Sequence, residues 1–220
     1  MLRRLYPFAL TIFAALPFAA TGQATPDQWS AEIDRFTATD VAHSPPQGAV
    51  VFVGSSSIVN WTTLAKDFPG IMSINRGFGG SELTDVVFYA DRIVIPYHPR
   101  LVVLYAGEND LWNGKTPETV ASTFKAFCTK LHATLPETKL LYLAIKESPS
   151  RAKIGKQVFS TNKLIAADCA SEPSCTYVDV ATPLLDEKRL TRPELFRDDL
   201  HLAPSGYAIW TRILAPYLKE

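Results

Sequence analysis

The sequence has no excess of charge of either sign. Its 220 residues contain 22 lysines and arginines against 22 aspartates and glutamates, and no stretch of the chain is a block of basic residues. A protein that binds nucleic acid by neutralising phosphates needs a basic surface. The composition therefore argues against a nucleic-acid partner.

The chain also lacks a long, uninterrupted apolar run of the kind that crosses a bilayer. Its most apolar stretch follows the basic start MLRR, and two prolines interrupt it, so it is short for a membrane span. Small residues at Gly22 and Ala24 then suit a signal peptidase. We expect residues 1–24 to be a signal peptide and residues 25–220 to form a periplasmic or secreted protein without a stable membrane span. An uncleaved membrane anchor is the alternative.

Cysteine is scarce, with three residues in the whole chain. Cys169 and Cys175 lie six residues apart with a proline between them that can turn the chain, so a small disulfide loop is plausible in an oxidising compartment. Cys128 falls on the apolar face of a predicted helix and is expected to be a buried free thiol. The spacing of the three does not support a zinc site.

Five short runs are almost continuously apolar, which is typical of strands covered on both faces. They occupy residues 49–54, 70–75, 100–107, 139–145 and 175–181. Helix-like stretches with N-terminal capping residues separate the runs. This alternation predicts a three-layer α/β/α sandwich built on a five-stranded parallel sheet. The sequence shows no repeat or linker that would divide residues 25–220, so we expect a single domain.

Four polar segments stand where such a sheet would bind a ligand, at the carboxyl ends of its strands. Three of them directly follow predicted strands, and the fourth precedes the last helix. They are GSSS at residues 54–57, NRGFGGS at 75–81, GENDLW at 107–112 and RDDLHLAPSGY at 197–207. A parallel sheet brings the carboxyl ends of its strands to one edge, so we expect the four segments to meet there.

His201 is the histidine best placed to act as a base towards one of the serines. His43 and His98 precede strands, which predicts the opposite edge of the sheet, and His132 lies within a helix. Asp198 precedes His201 by three residues, so its carboxylate can orient imidazole Nδ1 and leave Nε2 facing the serine. A helix-capping acidic turn is the alternative interpretation of this segment.

A serine nucleophile also needs hydrogen-bond donors that stabilise an oxyanion. Gly80 can present an unobstructed backbone N–H after a turn, and Asn109 can offer its side-chain amide. The backbone N–H of the serine itself would be a third donor. Taken singly, these segments are also compatible with a plain tight turn and a turn-stabilising asparagine.

The four segments, in this order, resemble the sequence blocks of the SGNH hydrolases, also called the GDSL esterase/lipase superfamily. The first block of that superfamily is normally Gly-Asp-Ser and is Gly54-Ser55-Ser56 here. The resemblance implies that Ser56 is the nucleophile. Ser55 replaces the aspartate of the name-giving motif, but that aspartate is not the acid of the catalytic triad.

The other three blocks correspond to NRGFGG, GEND and DDLH. The resemblance implies Gly80 and Asn109 as oxyanion donors, together with the N–H of Ser56. It also implies Asp198 and His201 as the remaining members of the triad. The fold that it implies is the flavodoxin-like SGNH hydrolase fold.

The function implied is that of a secreted or periplasmic serine esterase that works through an acyl-enzyme and needs no metal or organic cofactor. No long insertion follows any of the four segments to build a lid. We therefore expect an open cleft for short acyl groups, such as acetyl esters on carbohydrate or small aryl and alkyl esters. A lysophospholipase or thioesterase, and a non-catalytic envelope-binding module with the same fold, are the alternatives. The oligomeric state is not predicted.

Aromatic and basic residues flank the four segments. We expect Trp112 and Phe78 to line the substrate site, with Trp61 as a further candidate, although aromatic residues near a sheet more often belong to the core. Lys146 and Arg151 follow the fourth strand and can bind an anionic leaving group. Solvated side chains are the commoner role for such residues.

Overall fold

The computed structural model describes residues 26–219 of the chain. The predicted signal peptide at residues 1–24 lies outside the described residues and stays a prediction. Within residues 26–219, no helix combines the length and the apolar character that a bilayer crossing requires.

Five strands form one parallel sheet, which confirms the predicted fold class. They are β1 (Val50–Gly54), β2 (Ser73–Gly77), β3 (Leu101–Tyr105), β4 (Lys139–Leu143) and β5 (Cys175–Val178). All neighbouring strands pair in parallel, in the spatial order β2-β1-β3-β4-β5. This is the flavodoxin-like order, which reverses between β1 and β3 and opens a ligand crevice at their carboxyl ends.

Strand β1 shows why the central strands of the sheet are almost continuously apolar. Val51 and Val53 pack into the core on one face of the sheet, whereas Val50 and Phe52 pack into the core on the other face. All five residues of β1 are buried. Because both faces are covered, the strand has no polar positions to alternate with the apolar ones.

The helices form two layers, one on each face of the sheet. Their bounds are α1 (Ser30–Ala42), α2 (Ser56–Val59), α3 (Leu64–Asp67), α4 (Leu83–Ile93), α5 (Glu108–Trp112), α6 (Pro117–Thr134), α7 (Gly155–Ala170) and α8 (Pro204–Leu214). Short 3-10 helices span Pro26–Trp29, Ile95–Tyr97, Pro149–Ile154, Thr182–Leu184 and Pro193–Leu195. Helices α1, α4, α6 and α7 pack on one face, and α2, α3 and α8 pack on the other. The result is the three-layer α/β/α sandwich.

Strand β2 differs most from its predicted bounds, because it begins at Ser73 rather than at residue 70. Gly70 adopts a positive φ of 83°, and the N–H of Ile71 donates to the carbonyl of Phe68 across 3.1 Å. Residues 68–71 therefore form a turn. The strand starts after that turn and continues through Arg76 into the segment that the sequence assigned to a loop.

The disulfide that the sequence suggested is present, whereas Cys128 is free as predicted but less buried than predicted. A disulfide joins Cys169, near the end of α7, to Cys175, at the start of β5. Cys128 is a free thiol that is half-buried against the core of the α6 layer. Burial raises the pKa of its thiol to about 12, so Cys128 carries no thiolate at neutral pH.

Candidate active site

The first polar segment forms a sharp turn from β1 into α2. Gly54 adopts a φ of 136°, and a Cβ at this position would lie 1.9 Å from the carbonyl oxygen of Tyr105. The N–H of Ser55 donates to the same carbonyl across 3.1 Å. Only glycine fits at position 54, because β1 and β3 approach each other so closely there. The turn places Ser56 at the first position of α2.

Ser56 lies beside the histidine that the sequence singles out, although 145 residues separate the two in the chain. Its Oγ is 3.1 Å from Nε2 of His201. On the other side of the ring, Nδ1 lies 2.9 Å from Oδ2 and 3.0 Å from Oδ1 of Asp198. The three side chains thus form a continuous hydrogen-bonded series at the carboxyl edge of the sheet.

The Asp198 carboxylate is held in its charged form. Desolvation acts to raise its pKa, but hydrogen bonds from the backbone N–H and the imidazole of His201 outweigh desolvation and hold the pKa below its ordinary value. The backbone N–H of His201 donates to Asp198 Oδ1 across 2.7 Å. A charged carboxylate at Nδ1 favours the imidazole tautomer that is protonated there, which leaves Nε2 as an acceptor for the Ser56 hydroxyl.

The other histidines lie elsewhere. His43 and His98 are exposed and precede β1 and β3, at the amino edge of the sheet. His132 is half-buried in α6, with Nε2 3.0 Å from the carbonyl oxygen of Thr138. These positions agree with the elimination made from the sequence.

The two predicted oxyanion donors flank the serine, because Gly80 follows β2, Asn109 follows β3 and β1 lies between these strands. Gly80 is exposed with a φ of 78°, and a Cβ there would meet no atom within 4 Å. Asn109 is 9 % exposed, and its Nδ2 donates to the carbonyl of Ser81 across 2.8 Å. This bond joins the two donor segments directly and leaves the second N–H of the amide available.

Asp110, the last residue of the GEND segment, also connects this segment to the chain that follows β2. Asp110 is fully buried, and its Oδ2 accepts the N–H of Leu83 at the start of α4 across 2.9 Å. Lys115 donates to its Oδ1 across 2.9 Å and also pairs with Glu82 across 2.7 Å. Burial raises the pKa of Asp110 above its ordinary value, although Lys115 opposes the shift. Asp110 was not among the predicted site residues, although an aspartate directly after the proposed donor was a signal for it.

A buried ion pair lies next to Asn109. Lys146 Nζ is 2.7 Å from Oε2 of Glu108, and the two side chains are 1 % and 5 % exposed. The hydroxyl of Tyr105 donates to the same oxygen across 2.7 Å. Burial alone would raise the pKa of Glu108, but Lys146, Tyr105 and Arg151 together hold it below its ordinary value. Lys146 is therefore neither solvated nor open to a leaving group, and both interpretations made from the sequence are wrong.

Two of the three aromatic candidates belong to the core. Phe78 is fully buried, with its ring 5.9 Å from the rings of Trp29 and Tyr89. Trp61 is 1 % exposed, and its ring packs 5.2 Å from that of Tyr207. The prediction that Phe78 lines the substrate site is wrong, and so is the suggestion for Trp61, because neither side chain reaches the surface.

Trp112 remains a candidate, since it is 37 % exposed at the end of α5. Lys153 Nζ lies 4.0 Å from the ring centroid, and the guanidinium carbon of Arg151 lies 5.3 Å from it. Cations therefore already cover part of this ring. Its contact with a substrate stays a prediction.

The described residues hold no group of three or more His, Cys, Asp or Glu side chains that could bind a metal ion.

The same fold occurs in solved structures of other proteins. A GDSL-like lipase from Bacteroides thetaiotaomicron has a TM-score of 0.75 and 22 % identity, over 86 % of this chain and 98 % of its own. A protein from Streptococcus pneumonia, provisionally named a platelet activating factor, has a TM-score of 0.77 and 18 % identity, over 87 % of this chain and 93 % of its own. A catalytic mutant of an acetylxylan esterase from Geobacillus stearothermophilus has a TM-score of 0.63 and 15 % identity, over 79 % of this chain and 95 % of its own. Identities this low show a shared fold.

Sequence comparison identifies the family. No curated protein matches the chain. Residues 34–209 match the model of the GDSL-like lipase/acylhydrolase family, a range that includes Ser56 and the histidine that contacts it, His201. The chain belongs to the GDSL-like lipase/acylhydrolase family, within the SGNH hydrolase superfamily.

Proposed function

We propose that the protein is a serine esterase in which Ser56 attacks the carbonyl carbon of a carboxylic ester. The observation that carries the proposal is the 3.1 Å contact between Ser56 Oγ and His201 Nε2, with Asp198 2.9 Å from Nδ1 of the same ring. A serine hydroxyl is a weak nucleophile until a base takes its proton, and this arrangement supplies both a base and a group that orients it.

In the acylation step, Nε2 of His201 takes the hydroxyl proton as Oγ of Ser56 bonds to the carbonyl carbon. The negative charge that develops on the carbonyl oxygen is stabilised by the N–H groups of Ser56 and Gly80 and by Nδ2 of Asn109. The imidazolium then gives its proton to the departing alcohol as the ester C–O bond breaks. The products are a free alcohol and an acyl group bound to Ser56.

In the deacylation step, His201 removes a proton from a water molecule that attacks the acyl carbonyl. The same three donors stabilise the second oxyanion. When this intermediate collapses, the bond to Ser56 Oγ breaks and Nε2 returns the proton to that oxygen. A carboxylic acid is released, and the enzyme is restored without any change in oxidation state.

The substrates proposed are esters of short acyl groups, including acetyl groups on carbohydrate. Gly80 is exposed and Ser56 is half-buried, so the reacting serine is close to solvent. The family comprises lipases and acylhydrolases, and one protein of the same fold is named as an acetylxylan esterase. These observations favour a shallow site that accepts a small acyl group on a larger alcohol.

Covalent labelling tests the nucleophile. The folded protein, treated with a fluorophosphonate probe and mapped by peptide mass spectrometry, is expected to carry the label on Ser56. His201→Ala should slow labelling strongly, because the base is then missing. A label on Ser55 or Ser57 would contradict the assignment of the nucleophile. A folded protein that takes no label would contradict the esterase and indicate a non-catalytic binding module.

A series of nitrophenyl esters tests the acyl preference. We expect kcat/KM to be highest for the acetate and to fall through butyrate and octanoate to palmitate, because Ser56 lies close to solvent and no long insertion follows the four polar segments to enclose a longer acyl chain. Nitrophenol release measures each rate. A kcat/KM that rises towards palmitate would contradict the short-acyl proposal and indicate a lysophospholipase or thioesterase.

We also propose that residues 1–24 direct export and are then removed. The basic start, the apolar stretch and the small residues before position 25 support this. The disulfide between Cys169 and Cys175 agrees with an oxidising compartment. N-terminal sequencing of the protein recovered from its native cells is expected to begin at Thr25. A chain that retains Met1 and fractionates with membranes would instead indicate an uncleaved anchor.

A further inference from the structure

We infer that Arg151 is a positioning residue, which holds the Asn109 side-chain amide in the orientation that donates to the oxyanion. This inference rests on the proposed function, because it assigns Arg151 to the same site. Arg151 follows β4 within the 3-10 helix Pro149–Ile154, where its φ of −117° departs from helical geometry. Its Nη1 donates to Oδ1 of Asn109 across 2.9 Å.

Both ends of the Asn109 amide are held by partners of opposite character. The oxygen accepts from the Arg151 cation, and Nδ2 donates to the carbonyl of Ser81 across 2.8 Å. A 180° rotation of the amide would place its oxygen against the Ser81 carbonyl and its N–H groups against the guanidinium. Both contacts would be repulsive, so the rotated amide is excluded and one N–H of Nδ2 stays available.

Arg151 is itself held in place by the buried carboxylate of Glu108. Its side chain is 14 % exposed, and Nη1 lies 3.4 Å from Oε1 of Glu108. Glu108 is anchored by Lys146 across 2.7 Å and accepts the hydroxyl of Ser148 across 3.3 Å. The guanidinium is therefore pre-positioned, and a charged donor on the amide oxygen polarises the amide and strengthens its remaining N–H as a donor.

The same short helix also contacts the loop that carries the triad acid and base. The N–H and the hydroxyl of Ser150 each donate to the carbonyl of Asp199 across 3.0 Å. Asp199 lies between Asp198 and His201 in the chain. Residues 148–151 thus connect the proposed oxyanion amide to the triad loop, which is the rigid support that a preorganised site requires.

The contacts distinguish this role from binding of an anionic leaving group. A group that recruits substrate charge keeps its donors open, whereas Arg151 uses Nη1 on Asn109 and lies beside the Glu108 carboxylate. If Arg151 recruited the substrate, its substitution would raise KM for anionic esters. A positioning role appears in kcat for neutral esters.

Arg151→Met, measured on neutral nitrophenyl acetate, is expected to lower kcat by roughly 10- to 100-fold, the effect of a small misplacement of a catalytic group. KM should change by less than about twofold, since the ground state is bound as before. Lys153→Met is the matched control, because Lys153 contacts the same Trp112 ring. It should leave kcat unchanged. Thermal unfolding of each variant confirms that it is folded.

Two further variants separate positioning from a structural role. In an Asn109→Ala background, adding Arg151→Met should cause no further loss, because Arg151 acts through that amide. Arg151→Lys keeps the charge but not the planar fork and should recover part of kcat. It also serves as the folded variant if Arg151→Met unfolds.

The outcomes distinguish this inference from the proposed function. If Asn109→Ala lowers kcat and Arg151→Met does not, the role of Arg151 is overturned and the esterase stands. Additive losses in the double variant, or a loss confined to KM, also overturn it. If Asn109→Ala itself leaves kcat unchanged, the proposed oxyanion donor is wrong, and this inference falls with it.

Discussion

Ser56→Ala is expected to lower kcat for nitrophenyl acetate by about 10⁶-fold, the scale seen when the nucleophile of a triad is removed. The reason is that the hydrogen bond to His201 comes from this hydroxyl, at 3.1 Å. Without Oγ no acyl-enzyme forms, and the rate that remains comes from binding and the oxyanion donors. Nitrophenol release under single-turnover conditions measures the loss.

The adjacent serines are the matched controls for this prediction. The backbone N–H of Ser55 donates to the carbonyl of Tyr105, and the carbonyl of Ser57 accepts the hydroxyl of Tyr207 across 2.9 Å. Alanine keeps both backbone contacts and leaves Ser56 Oγ and its contact with His201 in place, so Ser55→Ala and Ser57→Ala should each retain kcat within about threefold, a barrier change well under the roughly 1.36 kcal/mol of a tenfold loss. If either loses activity as completely as Ser56→Ala, the nucleophile has been assigned to the wrong serine.

Asn109→Ala is expected to lower kcat by about 10²- to 10³-fold with little change in KM, because removal of one oxyanion donor has effects of this size in other hydrolases. The donor acts on charge that develops only in the transition state, so substrate binding in the ground state is spared. Steady-state kinetics on nitrophenyl acetate measure both parameters.

Two variants show whether the loss at this position is due to the donor. Asn113→Ala is the matched control: Asn113 directly follows α5, and its Nδ2 donates to Glu82 across 2.8 Å, so kcat should be preserved. Asn109→Asp keeps an oxygen for Arg151 but replaces the N–H donor with negative charge. It should be folded and at least as inactive as Asn109→Ala. A loss that appears mainly in KM would instead assign Asn109 to substrate binding.

The layers of the fold follow from local patterns. A strand covered on both faces is apolar along nearly its whole length, so β1, β3 and β4 can each be recognised from their own residues. The start of helix α6 is likewise marked by neighbouring residues in the sequence: the Thr116 hydroxyl accepts the N–H of Thr119 across 3.2 Å, and Pro117 occupies the first turn. The start of β2 was missed because a glycine turn at residues 68–71 interrupts an apolar run, and hydrophobicity alone does not register positive φ.

The predicted site residues fall into two groups. Asp198 and His201 lie three residues apart, so their contact could be expected from spacing, and Ser56 could be placed beside them because parallel strands share a carboxyl edge. Phe78 and Trp61 are near the site only in sequence. Each follows the strand or helix of its segment, and each ring packs into the core, Phe78 on one face of the sheet and Trp61 on the other.

By itself, the sequence determined the α/β sandwich, the family and which residue types meet at the carboxyl edge, since periodicity, motif order and short-range spacing are local properties of the chain. The tertiary structure alone decided how charges are paired there. Glu108 and Lys146 are 38 residues apart, and Asn109 and Arg151 are 42 residues apart. A charged side chain can be buried only where an opposite charge lies beside it, and the sequence does not show which residues become neighbours. Lys146 is therefore predicted from the sequence to be a surface residue, whereas in the structure it is buried and paired with Glu108.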